Sequence, residues 1–350
     1  MSGDVSIDLS HVLVVIPCLN EEAHLPGLLD QLIAHAGSAT IVVADGGSRD
    51  RSRAIVEELA ARHANVRLLD NPKRLQSAAV NLAARLFGQG RKWMVRIDAH
   101  CRYPDDYIAG LLTAAHRREA TSVVVPMVTR GEACFQRAVA AAQNSVLGTG
   151  GSPHRHVGAG RFVDHGHHAL FRLDLFLAVG GYDESFSHNE DAELDQRLLR
   201  AGGRLWLEPG QAIVYFPRRA PLPLFRQYHG YGSGRAKTLM RHRIAIKPRQ
   251  AAPLAIAPAL LLALLGVLAL PSSSWTLLLV LPTAGWALGC IGFGAMLAIR
   301  TRSACALASG PAAMIMHAAW SAGFWRARLL GTPPGPSPDA IIMAMADRLS

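Results

Sequence analysis

Between Gln250 and Ile299 the chain carries no Asp, Glu, Lys or Arg, and Pro271-Ser272-Ser273-Ser274 divides this run into two apolar stretches, 251–270 and 275–299. Each offers the roughly 20 residues that a membrane-spanning helix requires. Two spans are therefore expected, with a buried soluble hairpin as the competing reading. A third uncharged stretch, 303–325, is broken by Pro311 and His317. It either spans or lies in the interface with Trp320, Phe324 and Trp325 at headgroup level.

Charge separates the two ends of the chain. The net charge is +10 over 350 residues, yet residues 209–338 hold 13 Lys and Arg and no acid, while 1–208 are close to balanced. Arg235, Lys237, Arg241, Arg243, Lys247 and Arg249 precede the first apolar stretch, and Arg300 and Arg302 follow the second. By the positive-inside rule both flanks face the cytoplasm. The same cluster would attract anionic lipid or a lipid phosphate. Nucleic acid is excluded as a partner, because the excess of positive charge lies outside the N-terminal part and no base-stacking aromatics accompany it. Cys18, Cys101, Cys134, Cys290 and Cys305 are odd in number and lack CxxC spacing, so reduced thiols in a cytosolic domain are expected. The opening MSGDVSIDLS is polar and does not read as a cleavable signal peptide. The organisation expected is 1–235 catalytic, 236–250 basic and juxtamembrane, 251–330 membrane, and a 331–350 tail.

The first 130 residues alternate between two periodicities. Apolar runs VLVVI (12–16), IVVA (41–44), VRLL (66–69), WMVRI (93–97) and SVVVP (122–126) read as buried strands. Helical patterns at 21–36, 50–63, 75–87 and 104–118 separate them. Such βα units predict an α/β fold with a parallel, doubly wound sheet. Residues 130–215 look less regular and rich in Gly and His, as loops over a crevice would be, with a helix at 190–201 and a strand at 212–216.

The first turn, PCLNEE, has no G-x-G-x-x-G, so a dinucleotide site is disfavoured, and no P-loop is present. What remains are acidic residues at strand ends, Asp45 and Asp98, which converge at the carboxyl edge of such a sheet. In order along the chain come VVIPCLNEE, VVADGGSRDRS, NPKRLQSAAVNLA, RIDAHCRYP, FRLDLFLAVGGYDESF, NEDAELDQRLLRAGGRLWLEP and QYHGYGSGR. Together these resemble the family 2 inverting glycosyltransferases over residues 11–240. The forms RIDAH and YGSGR, with the C-terminal apolar stretches, are most similar to the membrane-anchored glucosyltransferases of succinoglycan-type exopolysaccharide synthesis.

The resemblance implies a GT-A fold with a mainly parallel central sheet followed by transmembrane helices, in a multi-pass protein of the bacterial inner membrane. It implies a UDP-sugar donor, probed by Pro17, Asn20, Glu22 and Asp45 around the uracil, with Gly46 standing where relatives often have a second Asp. A turn cap is the competing role for Asp45. Lys73, Arg74 and Asn81 would line the diphosphate, although a solvated basic turn fits the two cations as well. Asp98 matches the first aspartate of the Asp-x-Asp motif that holds a divalent cation, Mn²⁺ or Mg²⁺. His100 stands in the second position, as a direct ligand, a diphosphate contact or a structural residue; Mn²⁺ accepts imidazole better than Mg²⁺ does.

Asp191 falls in the catalytic-base position with Glu190 beside it, while Glu193 and Arg197 read as an i, i+4 salt bridge. Gly180, Gly181, His167 and His168 are implied on the acceptor side. His154, His156 and His165 complete a histidine-rich stretch with no closed zinc-site spacing. Gln227 is kept from the Q-x-x-R-W signature of processive synthases but the Arg-Trp pair is absent, which favours single transfer; Tyr231 and Arg235 would close over the diphosphate. The expected activity is transfer of a sugar, glucose from UDP-glucose, to a polyprenyl-linked glycan among other polysaccharide-synthesis enzymes. Direct transfer to polyprenyl phosphate, or a non-catalytic scaffold, are the alternatives.

Overall fold

The computed structural model describes residues 8–151, 157–271 and 273–331. His154, His156 and the tail from 332 lie outside them. The chain divides into two compact units, the first formed by the described residues of 8–127 and 157–215, the second by those of 128–151 and 216–331.

The first unit opens with the expected alternation: β1 (Val12–Cys18), α1 (Leu25–His35), β2 (Thr40–Asp45), α2 (Ser52–Arg62), β3 (Val66–Asp70), α3 (Gln76–Phe87), β4 (Trp93–Arg96), β5 (Cys101–Arg102), α4 (Tyr107–Arg118) and β6 (Ser122–Val125). Strand β7 (Met127–Thr129) then leads into α5 (Cys134–Gln143) and α6 (Val146–Thr149) of the second unit. The chain returns through β8 (Arg161–Val163), β9 (His167–Arg172), α7 (Leu173–Ala178), α8 (Glu190–Arg200), β10 (Leu205–Leu207) and β11 (Ile213–Tyr215). The stretch 130–215 is thus more regular than its Gly and His content suggested.

The main sheet has the order β3-β2-β1-β4-β9-β6-β10-β8. Its first four strands are parallel, as right-handed βαβ crossovers demand. The sheet as a whole is mixed, which corrects the expectation of a purely parallel, doubly wound one, although every strand but β8 and β9 runs in the same direction. Strand β9 enters antiparallel between β4 and β6, and β8 lies antiparallel on β10. Strand β9 is reached through β7, α5, α6 and β8, not through a single-helix crossover of the kind that joins the parallel strands β1 to β4. Val12, Val14 and Ile16 of β1 pack on one face of the sheet and Leu13 and Val15 on the other, so both faces are covered and the strand is apolar throughout. The carboxyl ends of β1, β2 and β4 lie side by side, and Asp45 and Asp98 leave from there.

The second unit contains α9 (Pro221–His242), α10 (Pro248–Leu254), α11 (Ile256–Ala269), α12 (Ser274–Thr301) and α13 (Ser309–Leu330). Among the described residues, two helical segments, Gln250–Ala269 and Ser274–Thr301, are long and apolar enough to cross a membrane. Helix α13, which covers most of 303–325, has a buried small-residue face with Ala312, Ala313, Ala319 and Gly323. It packs against α9 so closely that a Cβ on Gly232 would meet the Trp320 carbonyl oxygen at 1.9 Å, and one on Gly323 the His229 carbonyl at 2.0 Å. Within this unit Cys134 and Cys305 form a disulfide between α5 and the 3-10 turn Ala304–Ala308. The expectation of five reduced thiols is corrected for this pair, because helix packing joins residues 171 apart that no local spacing connects. Cys18, Cys101 and Cys290 are free and buried.

Candidate active site

The residue that organises the site is Arg96, the last of β4. It is buried, and its guanidinium gathers acids from two distant segments. Nη1 donates to Asp191 Oδ1 at 2.8 Å and to the Tyr182 hydroxyl at 2.9 Å. Nε lies 3.5 Å from Asp98 Oδ1, and Nη2 3.9 Å from Glu190 Oε1. A buried arginine is costly unless paired, and four acidic or phenolic groups supply the compensation. Arg96 is not among the residues that the sequence motifs single out. The signal was available, since an arginine inside an apolar strand next to an acidic turn needs buried partners.

Asp98 follows β4 in a turn locked by Tyr103, whose hydroxyl accepts from the Asp98 N–H at 2.8 Å and donates to its carbonyl at 3.0 Å. Gln76, the first residue of α3, donates to Asp98 Oδ1 at 2.6 Å. Burial pushes the Asp98 carboxyl up, but Arg96, His167 and His100 outweigh it and hold it below the usual range. His100 Nδ1 donates to Glu21 Oε1 at 3.1 Å, half exposed beside Asp98.

Glu190 and Asp191 open α8, where acidic side chains suit the helix dipole. Tyr182 donates its hydroxyl to Asp191 Oδ1 at 2.7 Å, so that oxygen is served by two donors. The other oxygen, Oδ2, faces His167 Nδ1 at 3.9 Å, and the same imidazole presents Nε2 to Asp98 Oδ2 at 3.7 Å. Burial opposes ionisation of Asp191, yet Arg96, His168 and His167 together with the Tyr182 hydrogen bond hold it at about 2. Burial and the adjacent Asp191 charge push Glu190 to about 7. Two neighbouring carboxyls thus differ widely in proton affinity, the arrangement from which acid and base roles are made.

The Gly180-Gly181 turn sets Tyr182. Both glycines have positive φ, +86° and +70°, and a Cβ on Gly181 would stand 2.4 Å from Asn81 Oδ1. Arg197, buried with Glu193 as the expected i, i+4 pair, donates to the carbonyls of Val179 at 2.5 Å and Gly181 at 2.6 Å. Asn81 accepts from the Tyr182 N–H and donates to its carbonyl, both at 2.8 Å. Buried in this way, Asn81 braces the Tyr182 turn instead of lining an open diphosphate edge. His168, expected beside the acceptor, is also buried, against Asp195 and Ser122.

At the neighbouring strand end Asp45 caps its own turn, accepting from Gly47 N–H at 3.0 Å and Ser48 N–H at 3.2 Å and pairing with Arg53 at 3.2 Å. Asn20, with φ +56°, accepts from Arg49 N–H, and Glu22 from Arg51 N–H, which ties the β1 and β2 loops together below Pro17. Lys73 is paired with Glu184 at 2.5 Å. Arg74, at φ +55°, lays its guanidinium over Gly47, where a Cβ would meet Nη2 at 3.4 Å. Gln227, Tyr231 and Arg235 lie in the second unit on α9, where Gln227 donates to the Tyr231 hydroxyl at 2.9 Å.

Among the described residues no three His, Cys, Asp or Glu side chains converge as a metal-ligand set. The chemistry at Asp98 nonetheless suits a hard divalent cation: its carboxylate would supply oxygen ligation, and the rest of the shell would have to come from oxygens other than this chain's acids.

An α/β sheet with acids gathered at its carboxyl edge, one just past the end of β4 and two at the start of α8, is an arrangement suited to a ligand bound outside the strand ends. Residues 13–179 match the glycosyl transferase family 2 model. The succinoglycan biosynthesis protein ExoA of Rhizobium meliloti (strain 1021) is 50% identical over 93% of this chain and 97% of its own length. A dolichyl-phosphate beta-glucosyltransferase, ALG5D of Trichomonas vaginalis, is 31% identical over 23% of this chain and 28% of its own. In fold, the chain is similar to a mannosyltransferase from Pyrobaculum calidifontis solved with GDP-mannose and Mn²⁺, with a TM-score of 0.56, 20% identity, and coverage of 94% and 91%. The chain belongs to glycosyl transferase family 2 and is an inverting glycosyltransferase of GT-A-like fold.

Proposed function

We propose that this enzyme transfers glucose from UDP-glucose to a polyprenyl-diphosphate-linked glycan in exopolysaccharide synthesis, with its catalytic unit on the cytoplasmic face of the inner membrane. The 50% identical succinoglycan biosynthesis relative supports the pathway, and the two long apolar helices flanked by arginines support a lipid-bound acceptor. The observation that supports the mechanism is Arg96 bridging Asp98 to the Glu190–Asp191 pair, and in this reading Asp98 is the donor-side carboxylate and Asp191 the acceptor-side one.

Inverting transfer is a single in-line displacement. The acceptor oxygen bonds to the anomeric carbon, the bond from that carbon to the diphosphate oxygen breaks, and its electron pair leaves on UDP. Asp191, kept anionic by Arg96 and Tyr182, receives the acceptor hydroxyl's hydrogen bond at Oδ2. The proton is released to the Glu190–Asp191 pair, where Glu190 has an affinity matched to neutral pH. Asp98 would hold Mn²⁺ or Mg²⁺, which neutralises charge on the departing diphosphate. Arg74 and the β1–β2 loops bind the nucleotide around Asp45 and Pro17, and His167 borders the acceptor.

The test is UDP release by the detergent-purified full chain against a donor panel, with Mg²⁺ or Mn²⁺ and a lipid-linked acceptor extract. UDP-glucose is expected to turn over only with acceptor present. Turnover on bare polyprenyl phosphate would replace the glycan acceptor in this reading. An Asp191→Asn variant is expected to lose about 10²–10⁴ in kcat with donor KM nearly unchanged. Full activity in that variant would remove Asp191 from the chemistry.

A further inference from the structure

Helix α8 carries two aspartates one turn apart, Asp191 and Asp195, and two consecutive histidines of β9 meet them. His167 faces Asp191, and His168 Nε2 is hydrogen-bonded to Asp195 Oδ1. Consecutive residues of a regular strand point to opposite faces. Here the register against β6 slips: Val123 opposes Leu170 while Val124 opposes His168, leaving Ala169 unopposed. Ala169 and Leu170 both pack on one face of the sheet, and His168 returns to the face of Phe171. There it stacks on Phe171 at 4.5 Å and reaches α8.

The hydrogen bonds fix the protons on His168. Ser122 Oγ gives its hydrogen to the Leu170 carbonyl at 2.9 Å, so at 3.0 Å it accepts from His168 Nδ1–H. Nε2 points at the Asp195 carboxylate, whose second oxygen is held by His165 Nδ1 at 2.6 Å. Two imidazoles on one wholly buried acid call for a carboxylate between them. Serine, histidine and aspartate here are no nucleophilic triad, since Ser122 has no exposed surface.

We propose that His168 is a buried imidazolium paired with Asp195, and that this pair is a positioning device which fixes α8 so that Asp191, one turn earlier, faces His167 and Asp98. The inference rests on the Glu190–Asp191 pair acting as the base. Burial disfavours the charged ring, but Asp195, by charge and by hydrogen bond, carries its proton affinity above the ordinary value. The bulge, the two consecutive histidines and the i, i+4 aspartates then serve one end: a structural acid–base pair registered one turn below a reactive one.

The test uses the full chain in detergent with ¹⁵N-histidine, His168 being assigned from His168→Gln. Both ring nitrogens are expected to be protonated at pH 7.5; an unprotonated nitrogen overturns the imidazolium. For turnover, Asp195→Asn and His168→Gln are each expected to lower kcat at least tenfold. KM for donor and for acceptor should stay within twofold, and the double variant should be no worse than the worse single. A raised acceptor KM with unchanged kcat in His168→Gln would make that residue a substrate contact, and fully additive losses would dissolve the pair. Should His168→Gln fail to fold, His168 is assigned instead from the signal displaced in Ser122→Ala, which removes the partner of its Nδ1, and the spectrum of the unaltered enzyme then decides the protonation state. Full activity of Asp191→Asn would sink the base assignment alone, whatever the spectrum shows.

Discussion

Asp45 and Asp98 leave neighbouring strand ends and look alike in the sequence, yet the fold uses them differently. Asp45 spends its hydrogen-bonding capacity on the turn that follows it, Gly47 and Ser48, and on Arg53 in the first turn of α2. Asp98 is held from far along the chain by Gln76 and by an imidazole of β9, and locally by Arg96, which itself joins it to the acids of α8. One carboxylate shapes a loop, and the other joins a charge cluster. The difference explains why a local motif reading describes the first well and the second poorly.

The comparison breaks most sharply at Arg96. An Arg96→Met variant leaves the partly buried Asp98, Glu190 and Asp191 without their shared cation, which is expected to cost about 3 kcal/mol in stability. Activity should fall by at least about 10³, as for loss of a group that orients several reacting parts. Arg96→Lys is not expected to rescue it, because a single ammonium cannot reproduce the fork that reaches Asp191 and Tyr182 through Nη1, Asp98 through Nε and Glu190 through Nη2. Thermal unfolding and UDP release measure the two effects. A stable, active Arg96→Met enzyme would return Asp98 and Asp191 to the status of independent sites.

At Asp45 the expected change is confined to the donor. Asp45→Asn keeps the shape but weakens the cap and its Arg53 partner, so donor KM should rise about tenfold, with kcat changed less than threefold and a stability loss of about 1–2 kcal/mol. Isothermal titration with UDP separates these outcomes. A large fall in kcat at unchanged UDP affinity would place Asp45 with Asp98 after all.

Much of this was open to reading in the sequence, and the limits have physical causes. The strands and helices up to Val125 follow from apolar periodicity, which is a local property. The insertion of β9 antiparallel between β4 and β6 does not, since strand order depends on the whole sheet. Motif order brought Asp98, Glu190 and Asp191 into view. It could not show that Asn81 and His168 turn inward, because a polar side chain at a strand or helix position reads the same whether its partners are protein or substrate. The Cys134–Cys305 bond was hidden for the same reason, its partners lying on separate elements.

Glu190 sharpens the picture by its pH dependence. Its folded proton affinity, about 7, lies above the ordinary 4.5, so the folded state binds more protons than the unfolded one between those values. Its contribution to stability is therefore full below about pH 4.5 and is lost as pH rises through about 7. Glu190→Gln, which keeps a neutral side chain, should unfold at nearly the same temperature as the parent at pH 4.5 and at a higher one at pH 8. An unchanged difference across that range would mean that Glu190 is not held protonated.

The smallest expected effects separate the two cations of NPKR. Lys73 is already paired with Glu184 on an exposed surface, where such pairs are worth about 0.2–1 kcal/mol, so Lys73→Met should alter donor KM less than twofold. Arg74 is held at positive φ with its guanidinium across Gly47, a backbone conformation that costs energy and so is expected where it serves binding. Arg74→Met should raise KM for the UDP-sugar five- to tenfold, an order of magnitude typical of one charge-assisted contact to phosphate. Arg74→Gly, which relieves the backbone, should raise the unfolding temperature while losing the same affinity. Stability and donor binding moving in opposite directions at one residue would tie Arg74 to the nucleotide edge that Asp45 builds, and leave Lys73 to its partner Glu184.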